Sequence, residues 1–141
     1  MVSIDNDRAI LLIEDDDIDA MSVKRSLKEL KVNNPLFHVE NGEEALEYLA
    51  DPKNIRPAII LLDINMPRMN GLEFLRAIKQ DPDLKKIPIV MLTTSHEEYD
   101  KSESFSLGAA GFMVKPVEYR HFVEVIRTIN LYWTLSELPD R

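Results

Sequence analysis

Short apolar runs alternate with segments of helical spacing along this chain, and this alternation limits its fold more than any other feature. The clear runs are residues 9–13, 58–62, 87–92 and 109–114, and a weaker, more polar one covers 35–39. Continuous apolar runs of this length are typical of strands that are buried on both faces of a parallel sheet. The runs therefore predict five strands.

The intervening segments repeat their apolar residues at steps of three and four, as Ala20, Val23 and Leu27 do. This spacing predicts amphipathic helices. The fourth, 97–107, is expected to be marginal, because its serines compete for backbone hydrogen bonds and only Tyr99, Phe105 and Leu107 offer apolar anchors. Five strand-helix repeats with short connections predict an α/β fold: a single doubly wound, five-stranded parallel sheet with helices on both faces.

Length and composition point to one domain. A chain of 141 residues with 45% hydrophobic content is long enough for one well-packed core. We expect a flexible N-terminus at 1–7, the folded domain at 8–135 and a C-terminal tail at 136–141. No apolar stretch is long enough to cross a bilayer, and no cysteine is present. We therefore expect a cytoplasmic protein that binds no membrane.

The net charge of -8 opposes nucleic-acid binding, because it would repel phosphate backbones and no local cluster of Lys and Arg counters it. The histidines share no ligand spacing, and we expect them to lie at the surface or its boundary rather than to bind metal. They are His38, His96 and His121. Because only 136–141 remain after the last predicted helix, we expect the chain to act through a contact with another protein.

Acidic residues follow two of the predicted strands directly. Asp63 comes after 58–62, while Glu14 and Asp15 come after 9–13. Because parallel strands end at the same edge of a sheet, we expect these carboxylates to converge, with that of Asp63 exposed at the strand tip. Like charges held this close repel unless a hard cation lies among them. The pattern predicts an oxygen-ligated divalent site, with Mg²⁺ as the expected ion.

The acids that come next have a structural explanation. Asp16, Asp17 and Asp19 stand at the start of the first predicted helix. Acidic side chains at that place cap the helix and interact favourably with its N-terminal dipole. We assign them no part in catalysis.

Several motifs occur in an order and spacing that resemble those of the response-regulator receiver domains of two-component signalling. They are Glu14-Asp15, the segment 62–67 followed by Gly71, Thr93 at the end of the fourth strand, and Lys115-Pro116 at the end of the fifth. The resemblance covers about 8–132 and implies the flavodoxin-like topology of receivers. It also implies that a partner histidine kinase transfers a phosphoryl group to Asp63.

The resemblance assigns roles to further residues. Asp15 and Asp63 would bind Mg²⁺ directly, Glu14 would act through water, and the backbone carbonyl of Asn65 would complete the protein's share of the ligands. The other implied roles are phosphoryl binding by Thr93 and Lys115, switching by Thr93 and Phe112, and a candidate cis peptide bond between Lys115 and Pro116. The acidic segment 14–16, the extended loop before Asp63 and the long last helix with Trp133 are similar to those of the small response regulators that partner bacterial phytochrome kinases.

Two other classes of protein compete with this interpretation. An aspartate-nucleophile phosphatase of the haloacid dehalogenase type also uses Mg²⁺, but it needs a second Asp where this chain has Asn65. A flavodoxin-like binding module needs a phosphate cradle after the first strand, where the acids of this chain would repel phosphate. Of the two, the phosphatase is the stronger alternative, although we do not expect the chain to be an enzyme.

The last predicted helix, near 119–135, carries an apolar stripe that extends beyond what the sheet can cover. A homodimer built on this helix is the expected consequence, because exposed aromatic patches usually mark interfaces. Its expected interface residues are Phe122, Ile126, Tyr132 and Trp133. In the alternative, the tail folds back over the core and shields Trp133 in a monomer.

Overall fold

The computed structural model describes residues 9–29, 35–64, 66, 69–93 and 98–114, in which strands and helices alternate. The strands are β1 (Ala9–Ile13), β2 (Leu36–Val39), β3 (Pro57–Asp63), β4 (Ile89–Thr93) and β5 (Gly111–Val114). The helices are α1 (Asp17–Glu29), α2 (Gly42–Ala50), α3 (Gly71–Lys79) and α4 (Glu98–Ser106). A short 3-10 turn, Leu84–Lys86, precedes β4. Among these described helices, none has the length and apolar character that a membrane span requires.

The strands form one parallel sheet in the order β2-β1-β3-β4-β5. This order confirms the predicted doubly wound topology, which places the functional edge at the carboxyl ends of the strands. β1 and β3 are neighbours, with Ile13 opposite Leu62. β3 and β4 are also neighbours, with Asp63 opposite Leu92. The residues that follow β1 and β3 therefore meet at one edge.

The core lies on both faces of the sheet. Alternate residues of β3 face opposite ways: Ile59 and Leu61 pack on the side of α1, while Ile60 and Leu62 pack on the side of α2 and α3. The α1 face is completed by Ala20, Val23 and Leu27, and the other by Ala45, Phe74, Leu75 and Ile78. Because helices cover both faces, nearly every side chain of the central strands is apolar.

β4 and β5 each begin two residues later than the apolar runs predict. The prediction of 87–92 for β4 was early because Ile87 closes the 3-10 turn, donating its N–H to the Leu84 carbonyl at 3.1 Å. The prediction of 109–114 for β5 was early because Ala109 donates to the Ser104 carbonyl at 2.9 Å and so ends the turn after α4. Apolar composition extends into these turns because they too are partly buried.

The fourth helix forms, but Phe105 is not the anchor that we predicted. Its side chain is 45% exposed, whereas Ser104 is completely buried. Neighbouring residues on an α-helix point about 100° apart, so burying Ser104 turns Phe105 outwards. An ion pair between Arg76 and Glu103, 2.7 Å long, also joins α4 to α3. Leu107, just beyond α4, packs against the core as predicted, and the ion pair adds a surface contact that the apolar pattern did not indicate.

Candidate functional site

Three carboxylates converge at the carboxyl edge of the sheet, as predicted. One oxygen each from Glu14, Asp15 and Asp63 lies within 4.8 Å of the other two. Asp63 ends β3, and the other two residues follow β1 on the neighbouring strand. The carboxylate of Asp63 is only 3% exposed, so the prediction that it is exposed at the strand tip was wrong. Glu14 is completely buried, and Asp15 is exposed and faces solvent.

This donor set fits a hard divalent cation. The three groups are oxygen donors of like charge, and their mutual repulsion is relieved when a cation lies among them. Carboxylate oxygens suit Mg²⁺ and Mn²⁺, and a site with few protein ligands leaves room for the waters that Mg²⁺ retains. The exposed position of Asp15 leaves the site open to solvent on one side.

The junction of β1 and α1 positions Glu14 and Asp15 through hydrogen bonds. The Glu14 N–H donates to the Val39 carbonyl at 3.0 Å, which extends the pairing of β1 with β2 by one residue. The Asp16 carboxylate accepts from the N–H groups of Ile18 at 2.9 Å and Asp19 at 3.0 Å. Asp16 is thus the N-cap of α1, and the predicted capping role is confirmed for it. Asp17 and Asp19 lie in the first turn of that helix.

The junction of β3 and α3 positions Asp63 by close packing. The Ile64 N–H donates to the Leu92 carbonyl, and the Gly71 N–H donates to the Ile64 carbonyl, both at 2.9 Å. A Cβ at Gly71 would lie 2.5 Å from the Asp63 carbonyl oxygen and 2.7 Å from the Ile64 Cα. Only glycine fits there, because the first turn of α3 lies directly against the end of β3.

Asp63 is not the cap of the helix that follows it. The N-cap of α3 is Asn70, whose side chain accepts from the Glu73 N–H at 2.9 Å. The Glu73 carboxylate accepts from the Asn70 N–H in return, which completes a capping box. Since another residue caps α3, its start does not account for a carboxylate at position 63.

Two further predicted residues lie at or near this edge. Thr93 is the last residue of β4 and follows Leu92, which is paired with Asp63. For Thr93 the structure describes the backbone alone. Phe112 lies on β5 opposite Met91 and is half-buried. Its ring packs against the core, as expected for an aromatic residue on a strand.

The remaining predicted residues fall outside the described part of the chain. They are Asn65, His96, Lys115, Pro116, His121, Phe122, Ile126, Tyr132 and Trp133, together with the domain limits near 7–8 and 135–136. Their roles therefore stay predictions.

Sequence reasoning missed one residue, His38. Its ring Nε2 lies 2.7 Å from the carbonyl oxygen of Glu14. The position at the boundary was foreseen, since the residue is half-buried, but the contact with the acidic site was not. The contact depends on the register of β1 and β2, which places His38 opposite Leu12. No local sequence signal encodes that register.

Comparison with known proteins yields a consistent result. Residues 10–127 match the response regulator receiver domain family. Response regulator Rcp1 from Synechocystis sp. is 35% identical over an alignment of 130 residues, and the match covers 89% of this chain and 88% of Rcp1.

Solved structures agree with this match. The Mn²⁺-bound form of Rcp1 superposes with a TM-score of 0.76 at 35% identity, covering 89% of this chain and 94% of that one. The bacteriophytochrome response regulator RtBRR gives a TM-score of 0.78 at 39% identity, covering 86% of this chain and 77% of RtBRR. The phosphorylated cyanobacterial phytochrome response regulator RcpA gives a TM-score of 0.76 at 33% identity, covering 90% of this chain and 94% of RcpA.

The match includes both junctions that carry the acidic site, and it selects the receiver family over the phosphatase and flavodoxin-like alternatives. The strand order fits a receiver but is shared with flavodoxin-like modules, so the family match is what separates these two classes. The chain therefore belongs to the response regulator receiver domain family of two-component signalling, whose members accept a phosphoryl group on an aspartate.

Proposed function

We propose that Asp63 is the phosphoryl acceptor of this receiver and that Mg²⁺ binds beside it. The observation that carries the proposal is the convergence of Glu14, Asp15 and Asp63 within 4.8 Å at the carboxyl edge of the sheet. Two relatives support it, since Rcp1 has been solved with Mn²⁺ and RcpA has been solved in a phosphorylated form. Mn²⁺ and Mg²⁺ favour the same oxygen ligands.

The proposed reaction moves a phosphoryl group from a phosphohistidine of a partner kinase to Asp63. A carboxylate oxygen of Asp63 attacks the phosphorus in line, forming a P–O bond while the P–N bond breaks and its electron pair returns to the imidazole. The cation, when bound, neutralises charge on the phosphoryl oxygens. The chain supplies position: β3 and the start of α3 hold Asp63 at a buried strand end, so its reactive oxygen has little freedom.

We assign the metal ligands in two groups. Asp15 and Asp63 would contact the cation directly, and Glu14 would act through a water molecule. The backbone carbonyl of Asn65 completes the set. The Glu14 carboxylate also accepts a hydrogen bond from the Asp16 N–H at 3.3 Å, which supports an outer position for it.

Thr93 and Lys115 are proposed to bind the phosphoryl oxygens, the first through its hydroxyl and the second through its ammonium. The end of β4 beside Asp63 supports the role of Thr93. Phe112, half-buried on β5, is proposed to change its packing when Thr93 engages the phosphoryl group. Having no hydroxyl, Phe112 would switch by packing alone.

A sensor histidine kinase of phytochrome type is the proposed partner, since two of the similar structures are phytochrome response regulators.

We propose a cytoplasmic protein that signals through a downstream protein contact and forms a homodimer through Phe122, Ile126, Tyr132 and Trp133. Sedimentation of the wild type and of Trp133→Ala at micromolar concentration tests the dimer. A wild type that stays monomeric, with or without a phosphoryl analogue, refutes it.

Intact-mass measurement after treatment with acetyl phosphate and Mg²⁺ tests the acceptor. The wild type should gain one labile phosphoryl group, and Asp63→Asn should gain none, because the amide keeps the shape of the side chain but is not a nucleophile. Asp17→Asn is the matched control: it removes a nearby exposed carboxylate of α1 and should leave labelling intact. Unchanged labelling of a folded Asp63→Asn variant would refute the assignment.

A further inference from the structure

A side chain from the edge strand β2 contacts the backbone of the acidic site. The Nε2 atom of His38 lies 2.7 Å from the carbonyl oxygen of Glu14. A carbonyl oxygen can only accept, so Nε2 carries the hydrogen and donates it. The Glu14 N–H donates in turn to the Val39 carbonyl at 3.0 Å. Both backbone polar groups of Glu14 are thus bonded to β2, one of them through a side chain.

The peptide unit that His38 contacts is the one that joins Glu14 to Asp15. A peptide unit is planar, so a hydrogen bond that orients its carbonyl also orients the N–H on its other side. That orientation sets the ψ angle of Glu14 and the φ angle of Asp15. Those two angles decide the direction in which the Asp15 side chain leaves the chain.

Asp15 depends on this orientation more than the other two carboxylates do. Glu14 and Asp63 are buried, at 0% and 3% exposure, so packing limits their movement. Asp15 is exposed, and no packed core surrounds its carboxylate. Its average position is therefore controlled chiefly by the backbone to which it is attached.

We propose that His38 is a positioning residue for the divalent cation site, acting through the Glu14 carbonyl to direct the Asp15 carboxylate towards the cation. This inference rests on the proposed function, because it takes the three carboxylates to be the metal site. Partners that orient metal ligands without touching the metal typically change metal affinity by about 10- to 100-fold when they are removed. His38 acts through a peptide unit, so we expect the lower end of that range.

A purely structural role for His38 makes a different prediction. If its hydrogen bond served only to hold β2 on β1, losing it would lower the melting temperature and leave metal affinity unchanged. Two variants separate these roles. His38→Leu removes the donor and keeps an apolar side chain, while His38→Gln keeps an N–H donor at the same number of bonds from Cα.

Metal affinity is measured with Mn²⁺ alone as the probe, by counting free Mn²⁺ in electron paramagnetic resonance spectra. The melting temperature of each metal-free protein is recorded alongside. His38→Leu should bind Mn²⁺ about tenfold more weakly than the wild type, and His38→Gln should recover most of that loss. Leu36→Ala, which weakens the packing of the same strand, is the control: it should lower the melting temperature and keep wild-type affinity.

Asp15→Ala distinguishes failure of this inference from failure of the proposed function. A wild type and an Asp15→Ala variant of equal affinity would overturn both the metal site and the role of His38. If Asp15→Ala loses binding but His38→Leu keeps it, only the role of His38 is overturned. The same conclusion follows if His38→Gln binds as weakly as His38→Leu, because the donor would then not be what matters.

Discussion

The two edges of the sheet use charge in opposite ways. At the carboxyl edge, three like charges lie within 4.8 Å of one another, on Glu14, Asp15 and Asp63. At the amino edge, opposite charges pair: Arg56, just before β3, bonds to the Asp83 carboxylate at 2.6 Å and to its carbonyl at 2.8 Å. The first arrangement costs stability until a cation binds, while the second is complementary within the chain itself.

Other contacts extend this complementarity at the amino edge. The Tyr48 hydroxyl donates to the Ile55 carbonyl at 2.8 Å, and the Asn54 amide donates to the Tyr48 carbonyl at 3.0 Å. The Lys79 ammonium donates to the Lys85 carbonyl at 3.0 Å. The amino edge therefore stabilises the fold without a ligand, whereas the carboxyl edge keeps a repulsion that ligand binding relieves.

Divalent cations should stabilise the protein through the carboxyl edge alone. At a hundredfold excess over its Kd, Mg²⁺ should add about 2.7 kcal/mol to the free energy of unfolding. Asp15→Ala should lose most of that gain, and its metal-free form should be at least as stable as the metal-free wild type because one repelling charge is gone. Thermal melts with and without Mg²⁺ measure both effects.

The matched control for this prediction is Asp83→Asn, which removes a carboxylate from the amino edge. It should keep the full gain from Mg²⁺. An equal gain in Asp15→Ala and the wild type would remove the basis of the comparison between the edges.

Gly71→Ala should destabilise the protein by about 2 kcal/mol, because the new methyl group would overlap the backbone of Asp63 and Ile64. Gly42→Ala is the matched control at the start of another helix. Its methyl group would meet the Met69 side chain, with the nearest atom at 2.8 Å, and that side chain can move. Urea unfolding should show a much smaller loss of stability in Gly42→Ala than in Gly71→Ala. Losses of equal size would mean that α3 does not need its close approach to β3.

The helix cap at the junction of β1 and α1 should have a smaller effect. Asp16→Ala removes the oxygen that accepts from two N–H groups of α1 and should cost about 1 kcal/mol. Asp16→Asn keeps an accepting oxygen and removes one charge near the cluster, so it should cost less than the alanine variant. Urea unfolding measures the loss of stability in both variants. An equal loss would show that the charge of Asp16, and not its capping hydrogen bonds, stabilises α1.

The amino-edge ion pair should have the smallest effect, because both partners are exposed and salt screens them. The hydrogen bond from Arg56 holds the pKa of Asp83 below its ordinary value. A lowered pKa means that the pair stabilises the folded state above pH of about 4 and that this contribution is lost as the pH falls through the folded value.

Arg56→Gln should therefore melt slightly below the wild type at neutral pH and low salt. The two proteins should converge in acid and in high salt, and phosphorylation should be unaffected. Melting curves across this pH range test the point. A difference that persists in strong acid would show that Arg56 stabilises the protein by packing rather than by charge.

The sequence alone determined the sheet, its parallel strands and the meeting of its acidic residues. Apolar runs indicate strands covered on both faces, and parallel strands must end at the same edge, so the convergence of Asp15 and Asp63 followed from local patterns and one topological rule. The capping role of Asp16 was equally local, because a cap acts on the helix that begins beside it.

The burial of Asp63, the need for glycine at position 71 and the contact of His38 with Glu14 became visible in the three-dimensional structure alone. It also turned Phe105 towards solvent and Ser104 inwards. Each of these depends on distances between elements that are remote in the chain. Periodicity records which face of one element is apolar, but strand register and the approach of a helix to a strand are set by the packing of the whole core.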